Sequence, residues 1–254
     1  MLLHPLKTYA IIFLQVLFIK QNGVLAVCNQ DALSFNLSSV LERMSRAAAR
    51  AGVPVPRLLA VTKSCDDETF RQLLALGVGA VGENRARQCE MRHDIILAGG
   101  YETEMHFIGS LQKNKAKYLV GRIALLHSLD SLGTAEEINR LSQKKGIRTS
   151  VLLEINSGRE ANKGGVMPED IDAFAEQVSA FPSISVKGLM TMAPNLDTPE
   201  EYRPYFRATR NAFERLTPLF DTKEPVLSMG MTDSFEVAIE EGATIVRVGS
   251  ALFR

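Results

Sequence analysis

Two kinds of residue cluster in this chain could do chemistry. Lys63 leaves the apolar run Leu58-Leu59-Ala60-Val61. A lysine at the end of such a strand can have its ammonium desolvated, which lowers its pKa and frees the amine to attack an aldehyde. The second kind is a pair of glycine-and-hydroxyl turns, Ser228-Met229-Gly230-Met231-Thr232 and Gly249-Ser250, the latter two residues after Arg247. Backbone amides and hydroxyls in such turns suit a phosphate. Each signal taken alone has a bland reading, because most strand-ending lysines are solvated and most Gly-Ser pairs are plain turns.

The elements that must position these residues make the combination informative. Short β-rich runs fall at 58–62, 80–82, 105–108, 124–128, 150–155, 185–190, 226–228 and 244–248. Helical periodicity is expected between them at 67–76, 84–96, 112–120, 134–145, 168–180, 200–219 and 234–241, after an extra N-terminal helix at 37–51 closed by Gly52 and Pro54. Repeated βα units predict an α/β fold, a single (β/α)8 TIM barrel. An open doubly wound sheet would carry a glycine-rich turn after its first strand, where this chain has Lys63-Ser64-Cys65-Asp66. In a barrel the strand C-termini form the active face, with phosphate favoured after strands 7 and 8. Lys63, Glu83-Asn84, Gly109-Ser110, Asp130, Asn156-Ser157, Met190, Ser228 and Gly249 all fall at such ends. An amine on strand 1 with a phosphate cradle held across the rim fits a phosphorylated aldehyde, and pyridoxal 5′-phosphate (PLP) is such a molecule.

Composition bounds the rest. The 29 basic and 29 acidic residues leave no net field to gather nucleic acid. Cys28, Cys65 and Cys89 are odd in number and form no CxxC pair, and with His4, His93, His106 and His127 they make no metal pattern. No disulfide framework and no metal are expected. Residues 9–19 form an apolar run behind Lys7, followed by Val24-Leu25-Ala26. Residues 1–30 therefore read either as a targeting or anchoring segment or as an extension without chemical consequence, with the barrel occupying 31–254. A cytoplasmic monomer is expected, the alternative being organellar or secretory targeting through residues 1–26. Asn36-Leu37-Ser38 is formally a glycosylation triplet.

The wording of the motifs adds a resemblance. Ala60-Val61-Thr62-Lys63, Gly82-Glu83-Asn84, the run from His106 to Lys115, Gly188-Leu189-Met190-Thr191, the run from Leu227 to Asp233, and Val246-Arg247-Val248-Gly249 resemble the pyridoxal phosphate homeostasis proteins in order and spacing. The likeness covers residues 37–254. It implies a barrel of the alanine-racemase type (PLP fold type III), one PLP as cofactor, and a role in buffering or supplying it to PLP-requiring apoenzymes. It also implies site residues: Lys63 as the imine-forming lysine; Ser228, Thr232, Gly249 and Ser250 at the phosphate; Asn84, Met190 and Met231 around the pocket; and Arg247 at the pyridine nitrogen. An arginine there opposes protonation of the ring and weakens it as an electron sink. The competing reading of Arg247 is an ion pair with an acid such as Glu83. Departures from the pattern are Met105, Arg85 and Ser110, none of which removes the imine or phosphate positions.

Four functional readings remain. A PLP carrier is favoured. A racemase-like enzyme shares the barrel but places a tyrosine from a second domain opposite the lysine, a class I aldolase carries its lysine on a later strand, and a scaffold would dock through Lys113, Lys115 and Lys117. Cys65 could add to an aldehyde or sense oxidants, although one thiol in a turn is more often incidental.

Overall fold

The structure, a computed structural model, describes residues 28–160 and 163–254. The apolar run at 9–19 and the triplet at 24–26 lie outside them. Strands β1 (Arg57–Val61), β2 (Ala80–Glu83), β3 (Glu104–Phe107), β4 (Leu125–Leu129), β5 (Thr149–Ile155), β6 (Ile184–Thr191), β7 (Val226–Ser228) and β8 (Ile245–Val248) form a closed parallel barrel. Closure is made by β1 on β8, in register from Arg57↔Ile245 to Ala60↔Val248. The open-sheet alternative is thereby excluded.

Strand alternation divides the side chains. Outward positions such as Ala60, Val81, Phe107, Leu153 and Val246 belong to the main core under the helices. Inward positions form a separate plug of Leu59, Ala80, Leu125, Leu152, Met190 and Ile245, joined by Ile108 and Val226, so that every strand or its immediate end contributes one residue. The plug makes the interior a packed core with a floor beneath its C-terminal mouth.

Helices α1 (Cys28–Ala51), α2 (Asp67–Ala75), α3 (Ala86–Ala98), α4 (Leu132–Lys145), α5 (Ile171–Ser179), α6 (Arg203–Leu216), α7 (Phe235–Glu240) and α8 (Ser250–Phe253) accompany the strands. The N-terminal helix starts nine residues before the expected 37, so it reaches into the segment assigned to the extension. Its buried stripe of Leu33, Leu37, Val40, Met44, Ala47 and Ala48 packs against α7 and α8. Asn36 lies on this helix, and its Nδ2 donates to Leu252 O (3.1 Å) and Arg254 O (2.9 Å), so the nitrogen of the glycosylation triplet is committed to the barrel's last turn.

Two expected helices differ. The stretch at 112–120 is a 3-10 helix, Lys113–Tyr118, in which Lys115 and Lys117 lie over the Tyr118 ring. Leu119 N and Val120 N both bond Ala116 O, which tightens its end. The stretch at 200–219 divides into a 3-10 turn (Pro199–Tyr202), α6, and a second 3-10 turn (Thr217–Leu219), with Pro204 in the first turn of α6 and Pro218 in the last piece. Proline has no N–H for a helical bond, so it sits where a helix begins or tightens. The last helix, α8, has only four residues, yet β1 and β8 still pair. Among the described residues no helix is long and apolar enough to cross a membrane.

The tightest backbone approach is at Gly188, where β6 shifts register against β5. Its φ is +152°, and a Cβ there would lie 1.9 Å from Val226 O. Gly188→Ala is expected to destabilise the barrel by about 3 kcal/mol and lower Tm by about 6–12 °C. Gly133→Ala, in α4 with nothing within 4 Å of the new methyl, should not lower it. Paired thermal melts check both, and equal Tm values for the two variants would contradict the β6–β7 contact.

Candidate functional site

The mouth is built by the loops that follow the strands. Lys63 stands two residues beyond the end of β1 and is exposed; no hydrogen bond or ion pair holds its ammonium among the described residues. The desolvation expected from the apolar run is therefore not supplied by the protein alone. The turn carrying it is fixed. Asp66 caps α2 by accepting from Thr69 N (2.8 Å), and buried Arg92 on α3 donates to Cys65 O (2.8 Å) and Asp66 O (3.2 Å). Cys65 Sγ donates to Thr62 O (3.2 Å), and burial pushes its thiol up to about 11. That favours the thiol over the nucleophilic thiolate at neutral pH.

Because β1 pairs with β8, Lys63 adjoins the β8 turn. The glycine turn after β8 is therefore beside the lysine's turn and not opposite it across the rim. A Cβ on Gly249 would lie 3.2 Å from Val61 Cβ, so this turn lies against the end of β1. Ser250 Oγ donates to Thr232 Oγ1 (3.0 Å), joining the β8 and β7 loops, and Met231 beside them is exposed. Ser250 and Ala251 open α8, where N–H groups have no preceding helical carbonyl. Asn84 is exposed at the end of β2, and its backbone leaves no room for a side chain at Gly109, where a Cβ would meet Asn84 O at 2.1 Å. Met190 is buried in the plug, at floor level.

At the centre, Ser228 and Arg247 share one set of hydrogen bonds, and the competing Arg247–Glu83 pair is absent. Ser228 does not face the loop pair. It is fully buried, with its hydroxyl between His127 Nδ1 (3.0 Å) and Arg247 Nη1 (2.8 Å). Arg247 does not pair with Glu83. Its Nη1 donates to Ser228 Oγ and its Nη2 to the main-chain Thr191 O (2.9 Å). Glu83 points outward and accepts from Thr62 Oγ1, where burial raises its pKa. Strand parity explains both results, since Arg247 is two residues from inward Ile245, whereas Glu83 is one from inward-facing Gly82. Burial lowers Arg247 to about 10, opposed by the charge of Glu154, so the guanidinium stays charged at neutral pH.

Sequence reasoning missed the polar groups that share the interior with Arg247. Glu104, His106 and Ile108 alternate inward on and just after β3, and Leu125 and His127 on β4. Polar residues two positions from an inward apolar one were the available signal. Glu154 on β5 is also nearly buried, with no side-chain hydrogen bond among the described residues. A Cβ on Gly164 would lie 3.1 Å from Asp130 Oδ2 and 3.7 Å from Glu154 Oε2, so the two carboxyls converge on that glycine. Burial, then the Asp130 charge, raise Glu154 to about 7, against a lowering by Arg247. No group of three or more His, Cys, Asp or Glu with metal-holding geometry occurs among the described residues.

The raised pKa of Glu154 has a stability consequence. A carboxyl whose folded pKa lies above its unfolded value binds a proton more tightly in the native state, so its contribution is complete below the unfolded pKa and is lost as pH rises through about 7. Glu154→Gln removes that dependence. The variant should be stabler than the parent at pH 8 by on the order of 2 kcal/mol, with the difference gone near pH 4. Denaturant melts at the two pH values check this, and a gap that does not narrow on acidification contradicts it.

Comparison with known proteins agrees with this geometry. The profile described as alanine racemase, N-terminal domain, matches residues 35–254. The chain is 43% identical over 219 residues to the pyridoxal phosphate homeostasis protein of Aquifex aeolicus, covering 85% of this chain and 95% of that one. A crystal structure of an unknown protein from Bifidobacterium adolescentis superposes with a TM-score of 0.81 at 31% identity, covering 91% of this chain and 98% of the other. The structure of PipY from Synechococcus elongatus with PLP bound gives 0.72 at 30% identity, covering 85% and 100%. The chain belongs to the pyridoxal phosphate homeostasis protein family, within the alanine racemase N-terminal-domain fold.

Proposed function

We propose that this protein holds PLP at the barrel mouth and serves intracellular vitamin B6 homeostasis as a carrier or buffer, with weak catalysis at most. One arrangement carries the reading: an uncommitted lysine amine in the turn after β1, next to the strand that bears the buried Arg247 and to the joined β7 and β8 loops. PLP supplies an aldehyde that condenses with an amine and a pyridine ring that can draw electrons.

The residues present suit such a group. Lys63 is the covalent holder. Thr232, Gly249 and Ser250 offer hydroxyls and amides to the phosphate, and the amides at the start of α8 suit an anion. Asn84 and Met231 flank the opening above Met190. Arg247 approaches the pyridine nitrogen as a buried cation and donor, which keeps a proton off that nitrogen and restrains carbanion chemistry. The relatives' names support homeostasis as the role, and the PipY structure supports the cofactor. Acceptor apoenzymes are the partners this role requires, with no nucleic acid and no metal. A cytoplasmic monomer is part of the same reading.

Purified protein incubated with PLP should turn yellow, and borohydride should fix the label to the peptide containing Lys63. Lys63→Ala should lose that fixed label entirely, as read by peptide mass spectrometry. Label on another lysine, or equal label in the variant, would contradict the assignment. The carrier role predicts that the loaded protein exchanges the α-hydrogen of added amino acids into deuterated water no faster than free PLP does. Exchange a hundredfold faster would favour a racemase-like enzyme.

A further inference from the structure

A chain of hydrogen bonds runs inside the barrel from its N-terminal rim to Arg247. Arg57 Nη2 donates to Glu104 Oε2 (2.8 Å), which also lies 3.0 Å from His106 Nε2. His106 Nδ1 lies 2.9 Å from His127 Nε2, and His127 Nδ1 lies 3.0 Å from Ser228 Oγ. Ser228 Oγ accepts from Arg247 Nη1. His106, His127, Ser228 and Arg247 are all buried, whereas Arg57 and Glu104 reach solvent.

The order of protons along this chain is determined from its outer end. Glu104 is ion-paired with the Arg57 guanidinium and reaches solvent, so at neutral pH its carboxylate is an acceptor only. His106 Nε2 must therefore be the donor. Burial keeps both rings from taking a second proton, and His127 also feels His106 and Arg247. His106 Nδ1 is then bare and accepts from His127 Nε2–H. His127 Nδ1 is bare in turn and accepts the Ser228 hydroxyl proton. The serine oxygen is left with lone pairs alone, one of which takes the Arg247 Nη1–H.

We propose that His127 and Ser228 are positioning residues for Arg247: the one-directional chain from Glu104 through His106 commits the Ser228 proton to His127 and leaves its oxygen only to accept from Arg247, which fixes the orientation of the guanidinium. Ser228 thereby leaves the phosphate set, because its only proton is committed to His127. Thr191 O holds the neighbouring Nη2, so the guanidinium is fixed at two points and cannot swing about its long side chain. The proton order rests on this chain alone. Its consequence at the pyridine ring rests on the function proposed above.

Nitrogen-15 NMR of the full chain without PLP at pH 7.5 reads the first part. Both His106 and His127 should be neutral, protonated on Nε2 with Nδ1 bare. A proton on Nδ1 of either ring, or a charged ring, overturns the proposal. Loaded protein reads the second part. Ser228→Ala and His127→Leu should still take the borohydride label on Lys63, but with a shifted chromophore and PLP retained about tenfold more weakly. His127→Asn can place an amide oxygen where Nδ1 stood, so it should keep the parental spectrum. Ser228→Ala matching the parent in spectrum and retention, or His127→Asn behaving like His127→Leu, overturns the positioning role. Parental protein that takes up no PLP would refute the proposed function instead, with the NMR result still deciding the proton order.

Discussion

A guanidinium buried inside a closed barrel is the constraint around which this structure is arranged. Taking such a charge out of water costs several kcal/mol unless hydrogen bonds and opposite charge compensate it. Arg247 is 4% exposed, and Ser228, Thr191 O and the field of Glu154 provide the compensation. Each partner in turn must be placed by a strand of the correct parity. The interior therefore carries two kinds of content, an apolar plug with one residue from each strand and a polar chain ending at Arg247. The plug makes the barrel rigid, and the chain gives its buried charge a single orientation.

Barrel closure then makes the site. β1 and β8 are the ends of the repeat in sequence but neighbours in space, so the turn carrying Lys63 and the strand carrying Arg247 are brought side by side only when the sheet closes, with Arg247 in register with Leu59. The exposed lysine and the buried arginine have different environments although adjacent strands carry them. The lysine is left free to react, while the arginine is held still.

The fold was legible because its signals are local and repeated. All eight expected strands coincide with observed ones to within about two residues, since each short apolar run is bounded by a helix start or a glycine. Helices bounded by prolines, such as the split stretch around Pro204 and Pro218, were not, and the start of α1 was missed because its apolar stripe begins only at Leu33. At the site, Lys63, Thr232, Gly249 and Ser250 were legible as residues ending strands. The hydrogen bonds of Ser228 were not legible because its hydroxyl has an inward partner, His127, 101 residues away in sequence. The contacts among Glu104, His106 and His127 were hidden for the same reason: their spacing from inward apolar residues could mark them as inward, but their partners meet only when β3, β4 and β7 are brought round one axis.

The central claim is that one lysine at the rim and one buried arginine face the same bound molecule. A crystal structure of the PLP-soaked protein tests it most directly. Density should be continuous from Lys63 Nζ to the ligand, with the ring nitrogen within hydrogen-bond reach of Arg247 and the phosphate beside Thr232 and Ser250. Ligand density separated from Lys63, or a ring turned so that its phosphate meets Arg247, would contradict it.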